Sequence, residues 1–145
     1  MTDAEGFWYR TRVQFDHTDA QGRVFYARYF RLLDQARCAY WEALGFTEDD
    51  VRQIENDTVI VHLEADYLGP AAFYDPLRIA VATVQLGRSS LHLDYRVVNE
   101  RSGQEIFIAR MVLVQVDLAT EVSHPWSTAF REALIRYHGQ QVLQS

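Results

Sequence analysis

The chain has no lysine, a single cysteine, three prolines and no apolar run long enough to cross a bilayer. One cysteine, Cys38, excludes an intrachain disulfide, and no Cys/His cluster has zinc-ligand spacing. A reducing compartment, the cytoplasm, is therefore expected, with no metal site. All fourteen basic residues are arginines, and against twenty acids they leave a net charge of −6. That balance argues against nucleic acid as a partner, because neutralising phosphates needs a basic stripe. An anionic ligand must instead be held by a few local arginines. The start, Met1-Thr2-Asp3-Ala4-Glu5-Gly6, has neither the basic nor the apolar region of a signal peptide, so no secretion is expected. What is present is apolar surface. With 48% apolar and 13% aromatic residues over 145 positions, the chain can bury a core large enough to offset the entropy of ordering. Repeats, linkers and low-complexity tracts are missing, so the chain is expected to be a single domain over 1–145.

Phe7, Tyr9, Thr11, Val13 and Phe15 alternate with Trp8, Arg10, Arg12 and Gln14, the period of a half-buried strand. Turn formers and Gly22 then predict a loop over 16–23. The composition becomes helical over 27–44, with Gly45 where a helix C-terminus favours glycine. At ~100° per residue, Arg28, Arg31, Gln35 and Glu42 form one narrow polar stripe, leaving most of that helix apolar. Such a helix must be wrapped by other structure. Asp34 and Arg37, spaced i, i+3, are placed to pair. Strands follow over 59–67, 77–86, 91–98 and 105–118, joined by Gly-rich or Asn/Ser-rich turns that favour antiparallel pairing. The last strand is apolar on both faces except at Arg110 and Gln115, which places it inside the sheet. Pro125 opens a short helix with Trp126, Phe130, Ala133, Leu134 and Tyr137 as its buried face. The expected class is α+β: an antiparallel sheet of about five strands wrapped around one long central helix, with a short C-terminal helix. One such sheet cannot cover that helix completely, which predicts a homo-oligomer.

Chemistry is expected at 16–26. The loop delivers Asp16 and Asp19 beside a helix N-terminus, where unpaired backbone N–H groups and the positive dipole end favour an anion. Those N–H groups can hold a carbonyl oxygen that gains charge during acyl transfer. A neighbouring carboxylate can activate water or attack the carbonyl itself. A thioester suits this pair because its hydrolysis needs no metal. An aspartate before a helix serves equally as a cap or turn residue, so the residues alone leave both readings open.

The stretch Phe15-Asp16-His17-Thr18-Asp19-Ala20-Gln21-Gly22-Arg23-Val24-Phe25-Tyr26, followed by Tyr29 and Asp34-Gln35-Ala36-Arg37, resembles the signature of hotdog-fold acyl-CoA thioesterases of the 4-hydroxybenzoyl-CoA thioesterase type. The likeness continues through Ala65-Asp66-Tyr67-Leu68-Gly69-Pro70-Ala71 and the strand series. It implies that Asp19 is the catalytic carboxylate, as base or nucleophile, and that the Tyr26 amide is the oxyanion donor. Gly22 matches the loop glycine, and Arg88 an arginine that contacts coenzyme A phosphates. No cofactor is implied, coenzyme A being part of the substrate. Dimers or dimers of dimers are implied, homotetramers being common. Tyr26, Tyr29, Phe30 and Tyr67 suggest a pocket that tolerates a small aromatic or a short to medium acyl group. Two departures stand out. His17 replaces a usual acid and is expected to face solvent or to alter the charge around Asp19. Tyr26 replaces the histidine of the Tol–Pal-associated members. Other expectations are structural: His62 and His92 on sheet faces, Cys38 as a small buried hydrophobe, Arg110 paired within the sheet or toward a partner. The competing functions are a thioesterase acting on acyl carrier protein and a non-catalytic acyl-binding domain.

Overall fold

The computed structural model describes residues 6–143; the first five residues, read above as carrying no secretion signal, and the last two lie outside them. The elements run β1 (Phe7–Arg12), α1 (Arg28–Ala43), α2 (Glu48–Asn56), β2 (Thr58–Tyr67), β3 (Pro76–Leu86), β4 (Ser90–Asn99), β5 (Gln104–Asp117), β6 (Val122–Ser123) and α3 (Thr128–His138). The strands hydrogen-bond in the order β1-β3-β4-β5-β2, with the two-residue β6 paired to β5 off that path. β5 is thus interior to the sheet, as its two-faced apolar pattern predicts. β1 lies antiparallel to β3, with Phe7 opposite Val81 and Arg12 opposite Pro76. The turns over 87–89 and 100–103 are too short for a crossover, so β3, β4 and β5 are antiparallel too. No helix among the described residues is long and apolar enough to cross a membrane.

The chain forms two compact units, the first comprising residues 6–40, 65–81 and 95–109. Here α1 supplies Leu32, Leu33, Ala36 and Tyr40, all without solvent exposure. Each large apolar side chain buried this way contributes about 1.5–3 kcal/mol. Tyr29 stacks on Phe107 with centroids 4.7 Å apart, and Tyr40 meets Phe7 at 5.8 Å. Arg28, Arg31 and Gln35 lie on the exposed side, as the stripe predicts. The expected i, i+3 pair forms as well: Arg37 reaches Asp34 at 3.1 Å, and its guanidinium is buried. Cys38 is half-buried rather than fully enclosed.

The second unit comprises residues 41–64, 82–94 and 110–143. It holds α2, which the apolar pattern does not announce, because only Val51 and Ile54 are apolar among its nine residues. The missed signal is a capping box. Thr47 Oγ1 accepts from the Asp50 amide, and Asp50 Oδ2 accepts from the Thr47 amide. α3 starts at Thr128 rather than at Pro125, because the Ser127 hydroxyl caps it by accepting from the Phe130 amide. Its buried face is Trp126, Phe130, Ala133 and Leu134, with Trp126 stacked on Phe130 at 4.3 Å. Tyr137 does not join that face. It sits 41% exposed in the last turn, its ring against His138. Arg110 pairs with Asp94 through two hydrogen bonds of 2.8 and 3.1 Å.

Candidate active site

β1 stops at Arg12 instead of continuing to Phe15. Val13 is fully buried and exchanges backbone hydrogen bonds with 74–75, and the next residues coil into a single 3-10 turn over Phe15–His17. This turn corrects the expectation for His17. The side chain does not face solvent; it is only 4% exposed, because its Nδ1 accepts the Gln14 amide at 2.9 Å. Burial lowers its pKa below 6.5; Asp16 opposes that shift, and Arg31 and Arg28 add to it. His17 is therefore a neutral acceptor at the base of the loop. Its carbonyl accepts from the Phe25 amide at 2.8 Å, which closes the loop at its far end.

Between these ties lies a small hairpin. Thr18 bridges Val24, the Asp19 amide donates to the Arg23 carbonyl at 2.9 Å, and the Gly22 amide donates to the Asp19 carbonyl at 2.9 Å. Gly22 has φ of 78°, the left-handed region that the turn requires and that glycine enters without a Cβ penalty. Asp19 Oδ1 accepts the Gln21 amide at 2.9 Å, while its second oxygen accepts from no described residue. The half-buried carboxylate is thus held by one oxygen and offers the other.

The entry to α1 is shaped by a second set of bonds. The Phe25 carbonyl accepts from the Arg28 amide at 2.8 Å, so it points into the helix. In a trans peptide the N–H points opposite to the C=O, so the Tyr26 N–H is directed away from the helix. It donates to no described residue. The Tyr26 carbonyl accepts the Tyr67 hydroxyl at 2.8 Å, which ties this entry to β2.

Asp19, Tyr26, Tyr29 and Tyr67 line one cleft of about 400 Å³, walled by 68–71. Tyr67 meets Tyr29 edge-on at 5.6 Å and Phe107 at 5.0 Å. Burial, reinforced by Tyr67, pushes the Tyr29 pKa up to about 12. Tyr67 is also raised, by burial and then by Tyr26, so both hydroxyls remain protonated donors at neutral pH. Gly22 shapes the hairpin without lining the cleft, and Asp16 lies exposed in the 3-10 turn. Arg88 belongs to the second compact unit, whereas every residue lining this cleft belongs to the first. It is exposed in the turn between β3 and β4, where its carbonyl accepts from the Trp126 amide. The residue missed by the sequence reading is Arg23, which lines the cleft and forms no ion pair among the described residues. Its signal was a cation directly after the loop glycine, in a chain short of cations.

The chain matches the thioesterase-like superfamily over residues 13–134. It is 32% identical over 94 residues to a putative esterase of Aquifex aeolicus, which covers 65% of this chain and 73% of that one. Over 106 residues it is 32% identical to 1,4-dihydroxy-2-naphthoyl-CoA hydrolase of Thermosynechococcus vestitus, covering 70% of each. The crystal structure of a thioesterase from Thermus thermophilus, complexed with coenzyme A and Zn, has a TM-score of 0.75 at 29% identity, over 90% of this chain and 95% of that one. The matched stretch opens at Val13, just before the Asp19 hairpin, and closes at Leu134 in α3, so it holds the whole cleft. With its single long first helix and antiparallel strands in this order, the chain belongs to the thioesterase-like superfamily and has the hotdog fold.

Proposed function

We propose that the protein hydrolyses acyl-CoA thioesters to a carboxylic acid and free coenzyme A. One observation carries this reading: an Asp19 oxygen without a partner and the unpaired Tyr26 N–H belong to residues that line the same cleft. Asp19 removes a proton from water as it attacks the thioester carbon, or attacks that carbon itself to form an anhydride that water then opens. Either way the carbonyl oxygen becomes negative and takes a hydrogen bond from the Tyr26 N–H. One such donor is worth ~10²–10³ in rate. Collapse of the intermediate breaks the C–S bond, and the departing thiolate takes up a proton. Coenzyme A belongs to the substrate, and the reaction draws on water and on groups of this chain. The tyrosine-lined cleft favours a small aromatic acyl group, with short to medium chains next.

The test is a panel of aromatic and aliphatic acyl-CoA thioesters read by release of free thiol. Asp19→Asn keeps the shape of the side chain, and its expected loss is at least ~10²-fold in kcat. Undiminished turnover removes Asp19 from the mechanism, and no release by the wild type on any thioester favours a binding domain.

The working form is a homodimer or larger oligomer. β2 ends the sheet order, with β5 as its one neighbour there, and both its faces are exposed: Val59, Ile60, Val61 and Leu63 all lie open. An apolar edge strand of ten residues is a ready template for a second copy. The single half-buried cysteine agrees with a reducing, cytoplasmic setting.

A further inference from the structure

A second cleft, of about 320 Å³, shares Arg23, Pro70 and Ala71 with the Asp19 cleft. The shared wall is held in place by main-chain bonds. Arg23 bridges Ala72, and the Val24 amide donates to the Ala71 carbonyl at 2.8 Å. The second cleft is also lined by Asp75, Asn99, Arg101 and Gln104. Asp75 already accepts hydrogen bonds on both oxygens. It accepts from the Ala72 amide at 2.9 Å, Asn99 Nδ2 at 3.0 Å and Arg101 Nε at 2.7 Å. Arg101 spends only its Nε on that carboxylate, so its two terminal nitrogens remain as donors on a largely exposed guanidinium. Arg23 is exposed and makes no ion pair among the described residues. Among the described residues the only carboxylate lining this cleft is neutralised by Arg101, and Arg23 adds a positive charge without an ion-pair partner there.

The geometry points to this second cleft as the seat of the phosphate-bearing arm of the substrate, with Arg23 and the terminal nitrogens of Arg101 as the phosphate contacts. The inference rests on the acyl-CoA reading of the Asp19 cleft and extends it. A thioester placed at Asp19 must send its pantetheine arm out along some wall, and the mostly apolar one formed by 70–71 leads to two arginines. Guanidinium groups suit that task, since their planar forks donate to phosphate in pairs and stay charged at every physiological pH. Arg88 lines neither cleft.

The test compares an acyl-CoA with the same acyl group on N-acetylcysteamine, which keeps the thioester and lacks the phosphates. In Arg23→Ala, kcat/KM for the CoA thioester is expected to fall about ten-fold further than for the truncated one, through KM, the equivalent of about 1.4 kcal/mol. Arg101→Gln, compared at matched thermal stability, is expected to show the same preference. Equal losses on both substrates, no loss on either, or a CoA-specific loss carried by Arg88→Ala instead of Arg23→Ala overturns the subsite. If the wild type cleaves neither thioester, the hydrolase reading has failed separately, and the subsite is judged by calorimetry with free coenzyme A. Ten-fold weaker binding by Arg23→Ala then supports it; equal binding, or none by the wild type, overturns it.

Discussion

The Tyr67 hydroxyl donates to the Tyr26 carbonyl at 2.8 Å, joining the end of β2 to the peptide that opens α1. This bond anchors Tyr26, whose N–H donates to no described residue, so the phenol of Tyr67 is placed to position the proposed oxyanion donor. Tyr67→Phe keeps the ring against Phe107 and Tyr29 and removes only the hydroxyl. We expect kcat to fall about ten-fold with KM little changed, and global stability to fall by only about 0.5–1.5 kcal/mol. Steady-state kinetics beside thermal unfolding separates the two. A change confined to KM would show that Tyr67 contacts substrate without positioning Tyr26.

Gly22 turns the hairpin at φ of 78°, and a Cβ there would meet open space. The cost of Gly22→Ala is therefore conformational alone, about 1–2 kcal/mol for holding an L-residue in the left-handed region. Thermal melting reads that loss. Activity falls further than stability does, because relaxing the turn moves the Asp19 carboxylate it carries. A variant as stable and active as the parent contradicts the assignment.

His17 makes stability depend on pH. Burial holds its folded pKa below 6.5, so on acidification the unfolded chain takes up the proton first. The stabilisation is complete above pH 6.5 and drains away as pH falls toward the lower folded value. His138, also lowered by burial, acts in the same direction. In His17→Asn, which offers a short acceptor that does not titrate in this range, the decline between neutral and mildly acidic pH is expected to be shallower. Denaturant unfolding across that range checks this, and an unchanged slope assigns the whole effect elsewhere.

Val61 is 58% exposed on the edge strand β2. A lysine at that position blunts an edge by charge, as natural edge strands do. Val61→Lys is expected to shift the mass measured by light scattering from oligomer toward monomer. An unaltered oligomer places the interface on another surface.

Much of this fold is legible in residue order, and the reasons are local. α1 announces itself through the spacing of Leu32, Leu33, Ala36 and Tyr40 against Arg28, Arg31 and Gln35. β5 shows its interior position through apolar residues on both faces. α2 escapes notice because its signal is the Thr47–Asp50 capping box, a pair of hydrogen bonds without an apolar stripe. β1 is overextended for the opposite reason. The alternation carries on to Phe15, yet the His17 imidazole captures the Gln14 amide and bends the chain first.

Residue order alone determined where the long helix and the antiparallel strands run, and it marked Asp19 and Gly22 as an unusual turn ahead of a helix. Those features depend on neighbours close in the chain, through side-chain periodicity and backbone preference. Only the tertiary structure decided that His17 is buried, that Tyr67 holds Tyr26, and that Arg23 and Arg101 line one cleft. Each of these joins residues tens of positions apart or depends on how a turn packs, and no local pattern records which distant groups packing will bring into contact.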